Sequence, residues 1–194
     1  MVRNTLSDRE LGPEFEDRIQ PVNATAFFCD VAGFSHIFDL LSAEEVAALL
    51  NAFLSDMTEI LQRHGGTLDK YEGDAIMAFW GAPTPSEDHA VRACLAALDM
   101  HDRLSEWRRG DKPDLSVRFG LNTGLILTAD MGSRQLRDYT MMGDHVNLAA
   151  RLEMASKMYG THILMGENTY RAAGDAVEAR ELDTIRIHGH PDPV

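Results

Sequence analysis

The run Ala24-Thr-Ala-Phe-Phe-Cys-Asp-Val31 constrains this chain more than any other segment. It is almost continuously apolar and closes on an acid, the pattern of a buried strand whose last residue emerges at the edge of a sheet. A strand of that kind needs other elements packed over it, and the rest of the sequence supplies them. Ser42-Ala-Glu-Glu45 is a capping box, with Ser42 as N-cap and Glu45 at the third helical position. It opens a helix through Val46, Leu49, Leu50, Phe53, Met57, Ile60 and Leu61, which Gly65 and Gly66 stop. Thr67–Tyr71 and Ala75–Trp80 then read as a hairpin with Glu72-Gly73-Asp74 at its turn.

Ser86 is positioned to cap a second long helix, Glu87 to about Trp107, with Val91, Cys94, Leu95 and Leu98 as its inner face. Leu115, Val117, Phe119 and Leu121 alternate with Ser116, Arg118, Gly120 and Asn122, a half-buried strand with Arg118 on the face away from the core set. Leu125–Thr128 reads as its hairpin partner, turned at Gly124. Asp144 caps a third helix to Met158, stopped by Gly160, with Leu148, Leu152 and Ala155 on one face and Asn147 and Arg151, four apart, on another. Thr161–Met165 and Thr184–His188 read as late strands. Interleaved strands and helices with hairpin turns imply an α+β fold, helices packed on a mixed, mostly antiparallel sheet.

At 194 residues the chain holds one domain with a sizeable core, and it is too short for two of typical size. Residues 1–23 are polar, contain Pro13 and Pro21, and read as a lead-in or linker, with the domain running from residue 24 to 194. The formal net charge of −13 argues against a nucleic-acid binder, which needs a basic face. An anionic substrate would have to be held by a few placed cations or by metals on carboxylates. The two cysteines, Cys29 and Cys94, form no disulfide framework and fit a reducing compartment. The N-terminus is too charged for a signal peptide, and the apolar stretches break well before the ~20 residues of a membrane span. These features read as a cytoplasmic protein, or the cytoplasmic piece of a longer one.

Asp30 ends the first strand and Asp74 sits at the hairpin turn. If those strands are neighbours, both carboxylates lie at one sheet edge, where paired acids can hold Mg²⁺ ions for in-line phosphoryl displacement. Taken singly, Asp30 is equally a cap for a helix at Phe34, and Asp74 an ordinary turn residue.

Four segments in order resemble the signature blocks of class III nucleotidyl cyclases, most like class IIIb adenylyl cyclases: Phe28-Cys-Asp-Val-Ala-Gly-Phe-Ser35, Asp69-Lys-Tyr-Glu-Gly-Asp-Ala-Ile-Met-Ala78, Gly120-Leu-Asn-Thr-Gly124 and Tyr139-Thr-Met-Met-Gly-Asp-His-Val-Asn-Leu-Ala-Ala-Arg151. The resemblance implies a ferredoxin-like core and a homodimer with the active site between subunits. Asp30, Asp74 and the main chain of Val31 match the positions that hold two metals, Mg²⁺ or Mn²⁺. Asn147 and Arg151 match the pair that acts from the other subunit on the ribose and the transition state.

Lys70 and Thr140 match the purine-reading positions. A Lys ammonium only donates, which suits adenine N1 and not guanine N1–H, while Thr140 can accept from the adenine amine. Threonine there resembles the class IIIb subgroup, some of whose members respond to bicarbonate. Arg118 matches an arginine on the triphosphate, and the Ala32-Gly33-Phe34 main chain would offer amides to phosphate oxygens. His188 stands where the family usually has a lysine, and the resemblance implies a further last strand that residues 24–194 are expected to lack. The implied reaction converts ATP to cyclic AMP and pyrophosphate, in a catalytic domain joined to a sensor or membrane domain. The alternatives are a guanylyl cyclase, or a weakly catalytic cyclase-like module for dimerisation and signal relay.

Overall fold

The structure is a computed structural model that describes residues 19–37, 39–109, 114–132, 137–186 and 193–194, with the side chains of Ser35 and His36 left aside. The expectations at His188 and for residues 1–18 lie outside the described residues. Strand β1 (Gln20–Val31) is followed by helices α1 (Phe34–Ile37) and α2 (Ala43–Arg63), the hairpin β2 (Thr67–Glu72) and β3 (Ala75–Trp80), and helix α3 (His89–Arg109). Then come β4 (Val117–Gly132), β5 (Arg137–Met142), α4 (Asp144–Tyr159), β6 (Ile163–Met165) and α5 (Glu167–Ala173).

The sheet runs β2-β3-β1-β4-β5, with β6 also on β4. Its pairs are antiparallel except β4 with β6, so the mixed, mostly antiparallel α+β architecture is the one expected. The buried run forms the central strand β1, paired on both sides.

Alternation along β1 sends Phe27, Cys29 and Val31 to one face, where they join Phe53, Met57 and Leu61 of α2 and Ala93, Ala97 and Met100 of α3. Phe27 meets Trp80 edge to face at 5.6 Å. Ala24 and Ala26 point to the other face and pack with Phe79, Ile126, Met141, and Val146 and Ala149 of α4. Among the described residues no helix is long and apolar enough to cross a membrane.

Several boundaries differ from the sequence reading, each for a local reason. β1 begins at Gln20, four residues early, because Gln20 to Asn23 already pair with Leu125 to Thr128. Gly124 makes no turn: β4 runs straight through it, opposite Ala24, and Leu125–Thr128 continue the same strand. Its missing side chain makes room for α4 instead, since a Cβ there would lie 2.4 Å from the His145 ring.

Helix α3 starts at His89 and not Glu87, because the Ser86 hydroxyl is bonded to the Asp88 carboxylate and Arg92 N–H donates to Asp88 O at 2.9 Å. Its inner face is the alanine-rich set Ala90, Ala93, Ala97 and Met100. Of the four residues expected inside, Cys94 is buried and Val91 partly so, while Leu95 and Leu98 are 37% and 43% exposed. Alanines let the helix settle close on the sheet and turn the leucines outward. The N-cap of α4 is Gly143, not Asp144, which is the first helical residue. Thr184 to Arg186 form no strand, although Ile185 and Val194 exchange main-chain hydrogen bonds of 2.7 and 2.9 Å.

Candidate active site

The expected acids converge at one end of the central strands. Asp30 on β1 stands opposite Arg118 on β4 in the register. Arg118 donates from Nη2 to Asp30 Oδ2 at 2.7 Å and from Nε to Glu153 Oε1 at 2.6 Å. The β2–β3 turn, with Gly73 at φ +64°, brings Asp74 alongside, and Val31 N–H donates to Asp74 Oδ2 at 3.3 Å. Asp30, Val31 and Asp74 therefore form one cluster. Burial first, then the charges of Asp74 and Glu153, push the Asp30 carboxyl up to about 6 against the opposing pull of Arg118.

That excess of negative charge, carried on hard oxygen donors, fits a small divalent cation, which binds through one or two carboxylates and keeps further positions for water or phosphate. Among the described residues no group of three or more His, Cys, Asp or Glu side chains is arranged for a metal. Any metal here would rely on Asp30, Asp74, the Val31 main chain and oxygens from a substrate.

Arg118 and the Ala32 amide, both expected to face phosphate, have partners within the chain. Arg118, expected on the triphosphate, is held by Asp30 and Glu153, its side chain 18% exposed. Of the three amides in Ala32-Gly33-Phe34, that of Ala32 is spent on Ser116 O at 2.7 Å. Gly33 adopts φ +71° in the turn between β1 and α1, and Phe34 begins α1.

A second cluster forms where the outermost strands β2 and β5 come together. Lys70 Nζ lies 3.4 Å from Thr140 Oγ1, joining the two expected purine readers within one chain. Thr140 donates to Asp69 Oδ2 at 2.9 Å, and Lys70 Nζ is 3.6 Å from Asp69 Oδ1. Sequence reasoning passed over Asp69. A register shift in β2 leaves it without a partner between Leu68 and Lys70, and such a bulge re-aims side chains. The available signal was an acid inside a strand run, where acids are disfavoured.

Glu153 was missed too. It is 7% exposed on α4, buried because Gly120 lies beneath: a Cβ on that glycine would sit 2.2 Å from Ala149 O and 2.3 Å from Glu153 N.

Asn147 is exposed and Arg151 half-exposed on α4. The start of that helix is tied to β4 by Asn122, whose Nδ2 lies 3.1 Å from both Nδ1 and O of His145. Among the described residues of one chain, neither Asn147 nor Arg151 makes a hydrogen bond or ion pair with Asp30, Asp74, Lys70 or Thr140.

Known proteins share this fold. Residues 18–193 match the family described as the adenylate and guanylate cyclase catalytic domain. Adenylate cyclase 1 of Rhizobium meliloti is 36% identical over 169 residues, 85% of this chain and 25% of that protein. An adenylate cyclase of Anabaena cylindrica is 31% identical over 88% of this chain and 35% of that protein, so the chain spans a quarter to about a third of these relatives. Among solved structures, the adenylyl cyclase CyaB from P. aeruginosa superposes with a TM-score of 0.83 at 34% identity, covering 91% of this chain and 93% of that one. The guanylyl cyclase Cya2 gives 0.81 at 32% identity over 91% and 89%. With a family match across nearly its whole length and close superposition on these catalytic domains, the chain belongs to the class III nucleotidyl cyclases.

Proposed function

We propose that the chain is an adenylyl cyclase domain that converts ATP to 3′,5′-cyclic AMP and pyrophosphate in a site shared by two copies. The observation that carries this reading is the apposition of Lys70 and Thr140 at 3.4 Å, which sets a donor beside an acceptor as the adenine edge requires. Guanine offers N1–H and O6 at those positions, and the Lys70 ammonium has no lone pair for N1–H.

In the reaction the ribose 3′-oxygen attacks the α-phosphorus, the bond to the β-phosphate oxygen breaks, pyrophosphate leaves and the 3′-hydroxyl proton passes to water. Divalent metals, when bound, supply charge to the phosphates and acidify the 3′-hydroxyl. Asp30, Asp74 and the Val31 carbonyl would hold them. Arg151 of a second copy offers a fixed cation to the α-phosphate as charge builds there, and Asn147 orients the ribose. Support for two copies comes from the lack, among the described residues, of any hydrogen bond or ion pair between this pair and Asp30 or Asp74 of its own chain. The small share of the relatives' length that the chain covers supports a place for it as the catalytic part of a longer sensor protein.

The test is cyclic nucleotide production from ATP and from GTP with Mg²⁺ or Mn²⁺, across a protein dilution series. Cyclic AMP should dominate, and specific activity should fall on dilution. Predominant cyclic GMP would replace this reading by a guanylyl cyclase, and no turnover of either nucleotide by a signalling module. Activity per chain that is independent of concentration down to nanomolar protein would remove the shared site.

A further inference from the structure

The purine end holds an acid to which the reading above gives no role. The Asp69 side chain is 0% exposed, yet it carries a carboxylate. Burial pushes that carboxyl up, and the Thr140 hydroxyl, the Lys70 charge and the Met141 N–H pull it back down. Its Oδ2 takes the Thr140 hydroxyl at 2.9 Å, and its Oδ1 faces Lys70 Nζ at 3.6 Å without a hydrogen bond.

A carboxylate has no proton to give, so in this contact the threonine must be the donor. A hydroxyl owns a single proton. Once that proton is committed to Asp69, Thr140 has only lone pairs left for a ligand. Without Asp69, the hydroxyl would be free to rotate, able to accept from an amine or donate to a carbonyl with equal ease, and Thr140 by itself would not distinguish adenine N6 from guanine O6.

We propose that Asp69 is a specificity-determining positioning residue: by holding the Thr140 proton it turns an ambivalent hydroxyl into a fixed acceptor for the exocyclic amine of adenine. This rests on the reading of Lys70 and Thr140 as the purine-facing pair. The two side chains then present a strict donor–acceptor pattern, complementary to adenine and opposed to guanine at both positions. Asp69 reaches the base only through Thr140, and the β2 bulge is what turns it inward for that purpose.

The experiment compares kcat/KM of wild type and Asp69→Asn for ATP, GTP and purine riboside triphosphate, which lacks the 6-amino group. An amide can accept or donate toward Thr140, so the hydroxyl is no longer forced. The ATP-to-GTP ratio should fall by about tenfold, the scale of one oriented hydrogen bond. With purine riboside triphosphate the loss should be no more than about twofold, and in a Thr140→Val background Asp69→Asn should move the ATP-to-GTP ratio by no more than about twofold.

Asp69→Ala, which removes the buried group altogether, should give the same pattern and serves if the amide variant does not fold. A wild-type ATP-to-GTP ratio in both variants overturns the proposal. So does an equal loss with purine riboside triphosphate, or a full effect in the Thr140→Val background, since each assigns Asp69 a structural role only. A wild type that prefers GTP overturns the adenylyl reading and this inference together; a wild type that prefers ATP, with variants that keep the ratio, overturns this inference alone.

Discussion

The two faces of the sheet are built from different material. On the side of α2 and α3, Trp80, Phe27 and Phe119 of the sheet join Phe53 and Met57 of α2 in one cluster, all fully buried. On the side of α4, Ala24, Ala26, Ile126 and two glycines of the sheet meet Ala149 of the helix, and Asp30 and Arg118 of the sheet form a charged set with Glu153 of the helix. Large apolar side chains supply the greater transfer free energy, so the first face carries most of the stability. The second gives up bulk for close main-chain approach and partly buried charge. Stability and the proposed chemistry are thus separated by the thickness of one sheet, and substitutions on the two faces should fail in different ways.

The largest effect is expected at the acid pair Asp30 and Asp74. Asp74→Asn should lower cyclic nucleotide production by at least about 10³-fold, on the several-kcal/mol scale of metal-borne charge stabilisation. Its melting temperature should stay within about 2 °C of wild type, because Asp74 is a partly exposed turn residue outside the large core. Near-normal turnover with Mg²⁺ would show that the acid pair holds no metal.

On the other face, Phe53→Ala should cost about 3–5 kcal/mol of folding free energy, read by urea denaturation, since Phe53 is 0% exposed. The fraction that remains folded should keep the wild-type preference between ATP and GTP. A changed preference would mean that the two faces are coupled after all.

The smallest effect concerns His89 at the start of α3. Its ring Nδ1 lies 2.8 Å from Thr25 Oγ1, which lies 2.8 Å from Thr123 Oγ1, a buried polar chain on the α3 face of the sheet. Burial lowers the His89 pKa from its ordinary value against a weaker pull from Asp88. The unfolded chain therefore binds the proton more readily, so stability falls as pH drops below about 6.5. Replacement by Gln should flatten the decline in melting temperature between pH 7 and pH 5 by about 2 °C, while His101, also lowered by burial, retains part of it. An identical pH profile would remove His89 from the account.

What could be read from the sequence was whatever local chemistry decides. The Ser42–Glu45 capping box has both its reciprocal bonds, at 3.3 and 2.8 Å. The turn at Gly73, the alternation of β4 and the stop at Gly160 are equally local. Asp30, Asp74, Lys70 and Thr140 were singled out by their motifs, and the structure groups them in two clusters.

What could not be read depended on what lies across a gap. Gly124 has the composition of a turn, and only the His145 ring above it explains why the strand continues. Leu95 and Leu98 have the right hydropathy for a core and lost their place to alanines that pack closer. Asp69 and Glu153 owe their burial to a bulge and to a glycine on another element, neither of which leaves a mark at the acid itself.

Gly120 and Gly124 sit four residues apart on one face of β4, and the first bears directly on main-chain atoms of α4. Main-chain atoms have no rotamers to exchange, so the height of the helix above the strand is a fixed dimension of the peptide itself rather than the outcome of side-chain fit. The same helix carries Asn147 and Arg151 toward solvent and Glu153 toward Arg118. Sequence drift on the rest of the α4 surface can alter what it touches without raising or lowering it. The residues proposed for both ends of the site are thereby gauged from a common mechanical reference, and a methyl group at Gly120 would put that reference out of true.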